Sequence, residues 1–174
     1  MSIALETAHL GKRYGRHWAL RDCVITLPTG RVAALVGPNG AGKTTLLHMA
    51  VGLLRPTEGW VKVFGCLPHE HSRELLPRIG FVAQNPSRYR DFSIADLLTL
   101  GRKLNSRWDQ QAAVERLRML GIPLERRVGK LSGSQQSQVE LALALAKRPD
   151  LMLLDEPLAS LDPPAFYRHG EKGS

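Results

Sequence analysis

The sequence predicts an α/β fold: a mostly parallel sheet with a helical layer, antiparallel strands on its N-terminal flank, and a helical block inserted late in the chain. Three observations predict it. Short apolar, strand-like runs alternate with helix-forming runs. A glycine-rich loop at residues 37–42 separates an apolar run, 32–36, from a helix-forming stretch, 45–50. From Asp91 to about Arg127 the pattern turns helical, and an aliphatic strand-like run returns at 151–154.

Residues 3–7 and 18–27 read as strands, punctuated by Gly11 and Gly15. The turn Pro28-Thr29-Gly30 leads into the strand at 32–36, and the helix at 45–50 follows the loop. After the turn Pro56-Thr57-Glu58-Gly59, residues 60–65 alternate as a half-exposed strand, and 78–83 form another that ends at Gln84. Ser93 is placed to cap a helix, with Asp96 three residues on. A second helix over 109–120 puts Ala113, Leu117 and Leu120 on one face, and Gly121 stops it. Leu131-Ser132-Gly133-Ser134-Gln135 opens a helix that continues through Ala146.

Composition narrows the class. With 174 residues, 43% hydrophobic and 23% charged, the chain suits one domain with a real core. The run 139–146 is interrupted by Glu140, and no apolar run approaches the roughly 20 residues of a membrane helix. The first residues lack the order of a signal peptide, so the expected compartment is the cytosol. Cys23 and Cys66 lie in strand-like contexts without metal-ligand spacing and read as free thiols. A net charge of +8 favours polyanions, but the basic residues are scattered, which reads as solvated surface. His69 and His71, two apart in a loop without a third ligand, read as polar surface, and His48 as a packing residue. Trp18, Trp60 and Trp108 are too dispersed to stack bases.

The chemistry sits in three constellations. Gly37-Pro38-Asn39-Gly40-Ala41-Gly42-Lys43-Thr44-Thr45 fits G-x-x-x-x-G-K-[ST] at every fixed position and predicts a P-loop NTPase core. Glycines let backbone N–H groups converge on an anion, and the helix start adds partial positive charge. Lys43 would reach the β- and γ-phosphates of a nucleoside triphosphate, and the Thr44 hydroxyl would take a Mg²⁺ position. The strand 151–154 delivers Asp155 to orient Mg²⁺ and Glu156 to polarise a water for in-line attack. Ser132, Gly133, Ser134 and Gln135 make a second candidate anion site, although the same residues suit an ordinary serine-capped helix start.

In this order and spacing, the phosphate loop, Gln84, Leu-Ser-Gly-Ser-Gln, Leu-Leu-Asp-Glu-Pro and Ser160-Leu161-Asp162 strongly resemble the ATP-binding cassette of ABC transporters, nearly to Asp162. The resemblance implies an ABC-type ATPase that takes ATP and Mg²⁺, spanning residues 1–162 with a helical subdomain at about 91–147. It makes Tyr14 the adenine-stacking aromatic and Gln84 the Q-loop glutamine, a catalytic and metal-binding position. It makes Ser132 to Gln135 the signature that touches ATP on an opposing subunit, Asp155 the Walker B aspartate, Glu156 the catalytic base and Asp162 the D-loop aspartate. It implies a second cassette closing around two ATPs, alike or different, and membrane-spanning partner subunits met by Gln84 and the helical block. The implied location is the inner face of the plasma membrane, with no direct nucleic acid and a lean towards export.

Two departures stand out. Ser134 replaces the signature's usual second glycine, adding a Cβ and a hydroxyl; a tolerated change with weaker cross-dimer contact is expected. After Asp162, residues 163–174 lack the strand and switch histidine of the family, and His169 comes too early to serve. That tail is expected to be frayed, as from a truncation. A non-catalytic nucleotide-binding or regulatory module, and a soluble ABC protein acting on ribosomes or nucleic acid, are the alternatives to a transporter motor.

Overall fold

The computed structural model describes residues 2–83 and 89–156. They fall into two compact units, one ending at Ile79 and the other beginning at Gly80. The tail at 163–174 lies outside the described residues.

In the first unit, β1 (Ile3–Tyr14) and β2 (His17–Pro28) form a long antiparallel hairpin closed by Gly15 and Arg16. Gly15 takes φ 57, the left-handed backbone such a turn needs. Gly11, expected as punctuation, instead lies inside β1. Its missing Cβ leaves room for the Trp18 ring on the paired strand, which would lie only 3.0 Å from one. The hairpin register shifts between Thr7 and Leu10, where His9 also has a positive φ of 46. The buried Thr7 hydroxyl stitches this break, donating to the Cys23 carbonyl at 3.0 Å and accepting from the Ile25 amide at 2.9 Å.

β3 (Glu58–Val63) pairs antiparallel with the other edge of β1, giving the order β2-β1-β3. The antiparallel N-terminal flank is therefore present. α1 (Lys43–Ala50) packs against β2 and β3, burying Leu46, Leu47, Met49 and Ala50. The short α2 (Ser72–Leu75) follows.

Residues 32–36 depart from expectation. They join no strand ladder, and Val32 and Val36 are 102% and 93% exposed. A strand exists only by pairing, and among the described residues none of the five strands pairs with this run. Apolar composition alone does not supply a neighbour.

In the second unit, β4 (Ile79–Val82) and β5 (Leu151–Leu154) form a parallel pair, and the Asp155 amide extends it to the Val82 carbonyl at 2.9 Å. Between them lie α3 (Ile94–Leu104), α4 (Gln110–Met119) and α5 (Gly133–Ala146), packed on one another. Their core contains Ile94, Leu98, Leu117, Ile122 and Val139. The cap expected at Ser93 is in place, and Asp109, expected to begin its helix, is instead the residue that caps it. Ser93 and Asp96 form a reciprocal capping box, which holds the Asp96 carboxyl below its usual range chiefly through the Ser93 hydroxyl. Asp109 caps α4 through the Ala112 amide at 3.0 Å and takes two bonds from the Arg148 guanidinium. These bonds, the amide first, lower its pKa.

Two predictions follow from packing and burial. At Gly101 a Cβ would run into the Trp108 indole, with ring carbons 2.6 and 2.7 Å away. Gly101→Ala is therefore expected to lower stability by about 1–3 kcal/mol in urea unfolding. Half-buried Glu140 has its pKa raised by burial from the ordinary 4.5 to about 7. Between those values the folded chain binds more protons than the unfolded one, so stability falls as pH rises and the loss is complete above about 7. Discounted for partial exposure, wild type should lose about 1–2 kcal/mol more than Glu140→Gln across that window. Parallel pH–stability curves for the two proteins would contradict this.

Candidate functional site

In the first unit the glycine loop folds as an exposed cradle ahead of α1. The Ala41 amide donates to the Pro38 carbonyl at 3.2 Å, and Gly40 and Gly42 take φ 83 and 85. Gly42 is the N-cap of α1, and its backbone lies so close to β2 that a Cβ would strike the Ala19 carbonyl and sit 3.0 Å from Leu20 Cδ1. No side chain caps α1, and its first turn holds no acid. The opening N–H groups and the positive end of the helix dipole are thus left for an anion.

Lys43 lies back over the loop, its Nζ donating to the Gly37 carbonyl at 2.8 Å and the Pro38 carbonyl at 2.9 Å. An ammonium held by carbonyl dipoles at a glycine cradle brings charge to the site without a carboxylate that would compete with a phosphate. Thr44 and Thr45 open the helix beside it, both half-buried. Tyr14 ends β1 with half its surface exposed, and Lys12 Nζ lies 5.5 Å from its ring centroid.

In the second unit, Ser132, Gly133 and Ser134 are exposed at the start of α5. The Ser132 hydroxyl accepts from the Gln135 amide at 3.2 Å, and the Gln135 side-chain carbonyl accepts from the Ser132 amide at 3.1 Å. The serine-capped helix start expected here is a full capping box, S-x-x-Q, whose second half fixes the Gln135 side chain back on the helix start. Ser134 sits outside the left-handed region, so its Cβ brings no backbone strain.

At the end of β5, Asp155 is 3% exposed, while the next residue, Glu156, is half-exposed with φ 50. A non-glycine residue held in this left-handed region costs about 1–2 kcal/mol, and such strain concentrates at working sites. The arrangement offers a buried carboxylate suited to a cation and a more open one suited to a water. Gln84 and Asp162 lie outside the described residues.

The comparisons with known proteins agree on one family. The ABC transporter family profile matches residues 20–159. The chain is 39% identical to the lipopolysaccharide export system ATP-binding protein of Acidithiobacillus ferridurans, over 94% of this chain and 70% of that protein. It is 33% identical to the bacitracin transport ATP-binding protein of Bacillus licheniformis, over 94% of this chain and 54% of that one, so it spans about half the length of that relative. Among solved structures, a dimeric ATP-binding cassette in a post-hydrolysis state with ADP and Pi superposes with a TM-score of 0.79 at 25% identity, over 91% of this chain and 76% of the other. The P-loop NTPase fold expected from the sequence is the fold of these structures.

The loop geometry separates its glycines. Gly42→Ala must accept both a left-handed φ and a clash with β2 and is expected to cost about 2–4 kcal/mol in urea unfolding. Gly40→Ala, with open space around it, should cost only about 1 kcal/mol. Equal losses in the two variants would contradict the close approach at Gly42.

Proposed function

We propose, from the premise that this chain belongs to the ABC transporter family, that it binds and hydrolyses ATP and so energises transport by a separate membrane-spanning partner. The observation that carries the proposal is the uncapped, acid-free start of α1 behind a glycine cradle with Lys43 lying across it. In this reading the amides of 40–45 and the Lys43 ammonium take the β- and γ-phosphates, and Tyr14 stacks on adenine. The residues present suit Mg²⁺: Thr44 offers a hydroxyl and Asp155 a buried carboxylate, with Gln84 as a further ligand. The ion would neutralise phosphate charge.

Glu156 holds the attacking water by accepting its hydrogen bond. The water oxygen bonds to Pγ and its proton passes to the Glu156 carboxylate, from which the released phosphate recovers it, as the bond from Pγ to the β-bridging oxygen breaks, giving ADP and phosphate.

The relatives' names speak of lipopolysaccharide export and bacitracin transport, and both are ATP-binding components of transport systems. We extend to this chain the pairing found in the dimeric cassette: a second cassette, alike or different, presents Ser132, Gly133, Ser134 and Gln135 to the ATP of its partner, with Asp162 at the dimer seam. Residues 1–162 act as one ATP-binding domain, with about 91–147 as the helical subdomain that, with Gln84, meets the membrane subunit. No helix among the described residues is long and apolar enough to cross a membrane. We place the chain on the inner face of the plasma membrane through that partner.

Mg-ATP binding and turnover of the purified chain, beside Lys43→Ala and Glu156→Gln, test the proposal. Lys43→Ala should weaken ATP binding at least tenfold, while Glu156→Gln should keep binding and lose on the order of 100-fold in turnover. Binding without turnover in the wild type would mark a nucleotide-binding module in place of a motor. A folded chain that binds no ATP would overturn the assignment.

A further inference from the structure

Away from the phosphate loop, the turn after β3 and the start of α2 bring three metal-ligating side chains together. One ligand atom each from Cys66, His71 and Glu74 lies within 4.8 Å of the others. His71 Nδ1 is 3.9 Å from Glu74 Oε2. Sequence spacing gives no hint of the third ligand, because Cys66 comes from the turn after β3 while His71 and Glu74 share the start of α2.

Cys66 closes the turn after β3, exchanging both backbone hydrogen bonds with Val63 at 2.9 and 3.0 Å. His71 is the N-cap of α2, its amide held on the Leu67 carbonyl at 3.0 Å. Glu74 lies in the first helical turn, with its amide on the His71 carbonyl at 3.1 Å. The backbone of this nine-residue stretch is thus braced before any ion arrives, so little ordering remains to oppose binding.

We propose that Cys66, His71 and Glu74 form a binding site for a borderline divalent transition-metal ion, in the first place Zn²⁺. Sulfur, imidazole nitrogen and carboxylate oxygen are the three donor types such ions combine, whereas Mg²⁺ and Ca²⁺ prefer oxygen alone. Ligand bonds of about 2.0–2.3 Å put tetrahedral donors about 3.5 Å apart. The His71–Glu74 pair is within half an ångström of that already. Exposed His71 and Glu74 can close the remaining gap by side-chain rotation, and half-buried Cys66 provides the fixed point. Binding takes Cys66 from thiol to thiolate and releases its proton to solvent, while water fills the fourth position. His69, beside Glu70 at 3.6 Å, stands outside the cluster and serves as the control. The bound ion ties the turn after β3 to α2.

The test uses the untagged full chain, titrated with Zn²⁺ against a chromophoric chelator and with Co²⁺ by absorption. Wild type should take up about one equivalent and show a thiolate-to-Co²⁺ charge-transfer band with the intense visible bands of four-coordinate Co²⁺. Cys66→Ser should abolish the charge-transfer band, and both it and His71→Ala should weaken Zn²⁺ binding on the order of 100-fold. Glu74→Gln should weaken it about tenfold, and His69→Ala should leave it unchanged. All three ligand variants should keep wild-type circular dichroism. A wild type that binds no Zn²⁺, a Cys66→Ser variant that keeps the band through Cys23, or a loss in His69→Ala equal to that in His71→Ala would each overturn the proposal.

Discussion

The phosphate loop depends on one close approach of backbone to backbone. At Gly42 the chain turns into α1 while lying against the Ala19 carbonyl of β2, and only a residue without a side chain can stand there. The helix that follows is pinned from its other side by Leu46, Leu47, Met49 and Ala50, which are buried as it packs on β2 and β3. A helix fixed along its flank can leave its first turn open. Forgoing a side-chain cap costs about 1 kcal/mol, and the packed face offsets it. The hairpin therefore shapes the candidate site from outside the loop: it holds the axis along which the helix dipole points.

The helices of the second unit make the contrast plain. α3, α4 and α5 each carry a side-chain cap, and two of the three caps are reciprocal boxes. α1 alone among these longer helices has none. The cap at Ser132 does not compete with its proposed contact with nucleotide, because a hydroxyl has one proton to give and two lone pairs. Accepting from the Gln135 amide leaves the Ser132 proton free to donate to a phosphate oxygen. The box also fixes the rotamer from which it would do so, so capping and ligand contact reinforce each other.

The sequence made most elements legible because their signals are local. Ser93 with Asp96, Asp109 before its helix, Gly121 after it and the alternation of β3 all act within a few residues. What it misread depends on pairing and turns that bring together residues not adjacent in sequence. Residues 32–36 have strand composition but no partner among the described residues, and Gly11 was read as an end when its role is to admit Trp18. The candidate site divides the same way. The phosphate loop and the acids after β5 were readable as contiguous motifs, while Cys66, His71 and Glu74 needed a turn and a helix start to meet.

Adjacent acids at a strand end show how a pleat can set two carboxylates in different surroundings. In an extended strand successive side chains point to opposite faces, and β5 alternates between buried and half-buried residues accordingly. The ladder continues one step through the Asp155 amide to Val82, which keeps the Asp155 carboxylate on the buried side. Glu156 falls on the half-buried side of the same alternation, and its backbone takes a left-handed φ of 50. The pleat alone therefore accounts for the two settings. That alternation separates a carboxylate kept from water, suited to holding a cation, from a more open one, suited to accepting a proton from water. Two residues of the same charge are thereby placed in different surroundings, and the difference resides in the faces of the strand to which they belong.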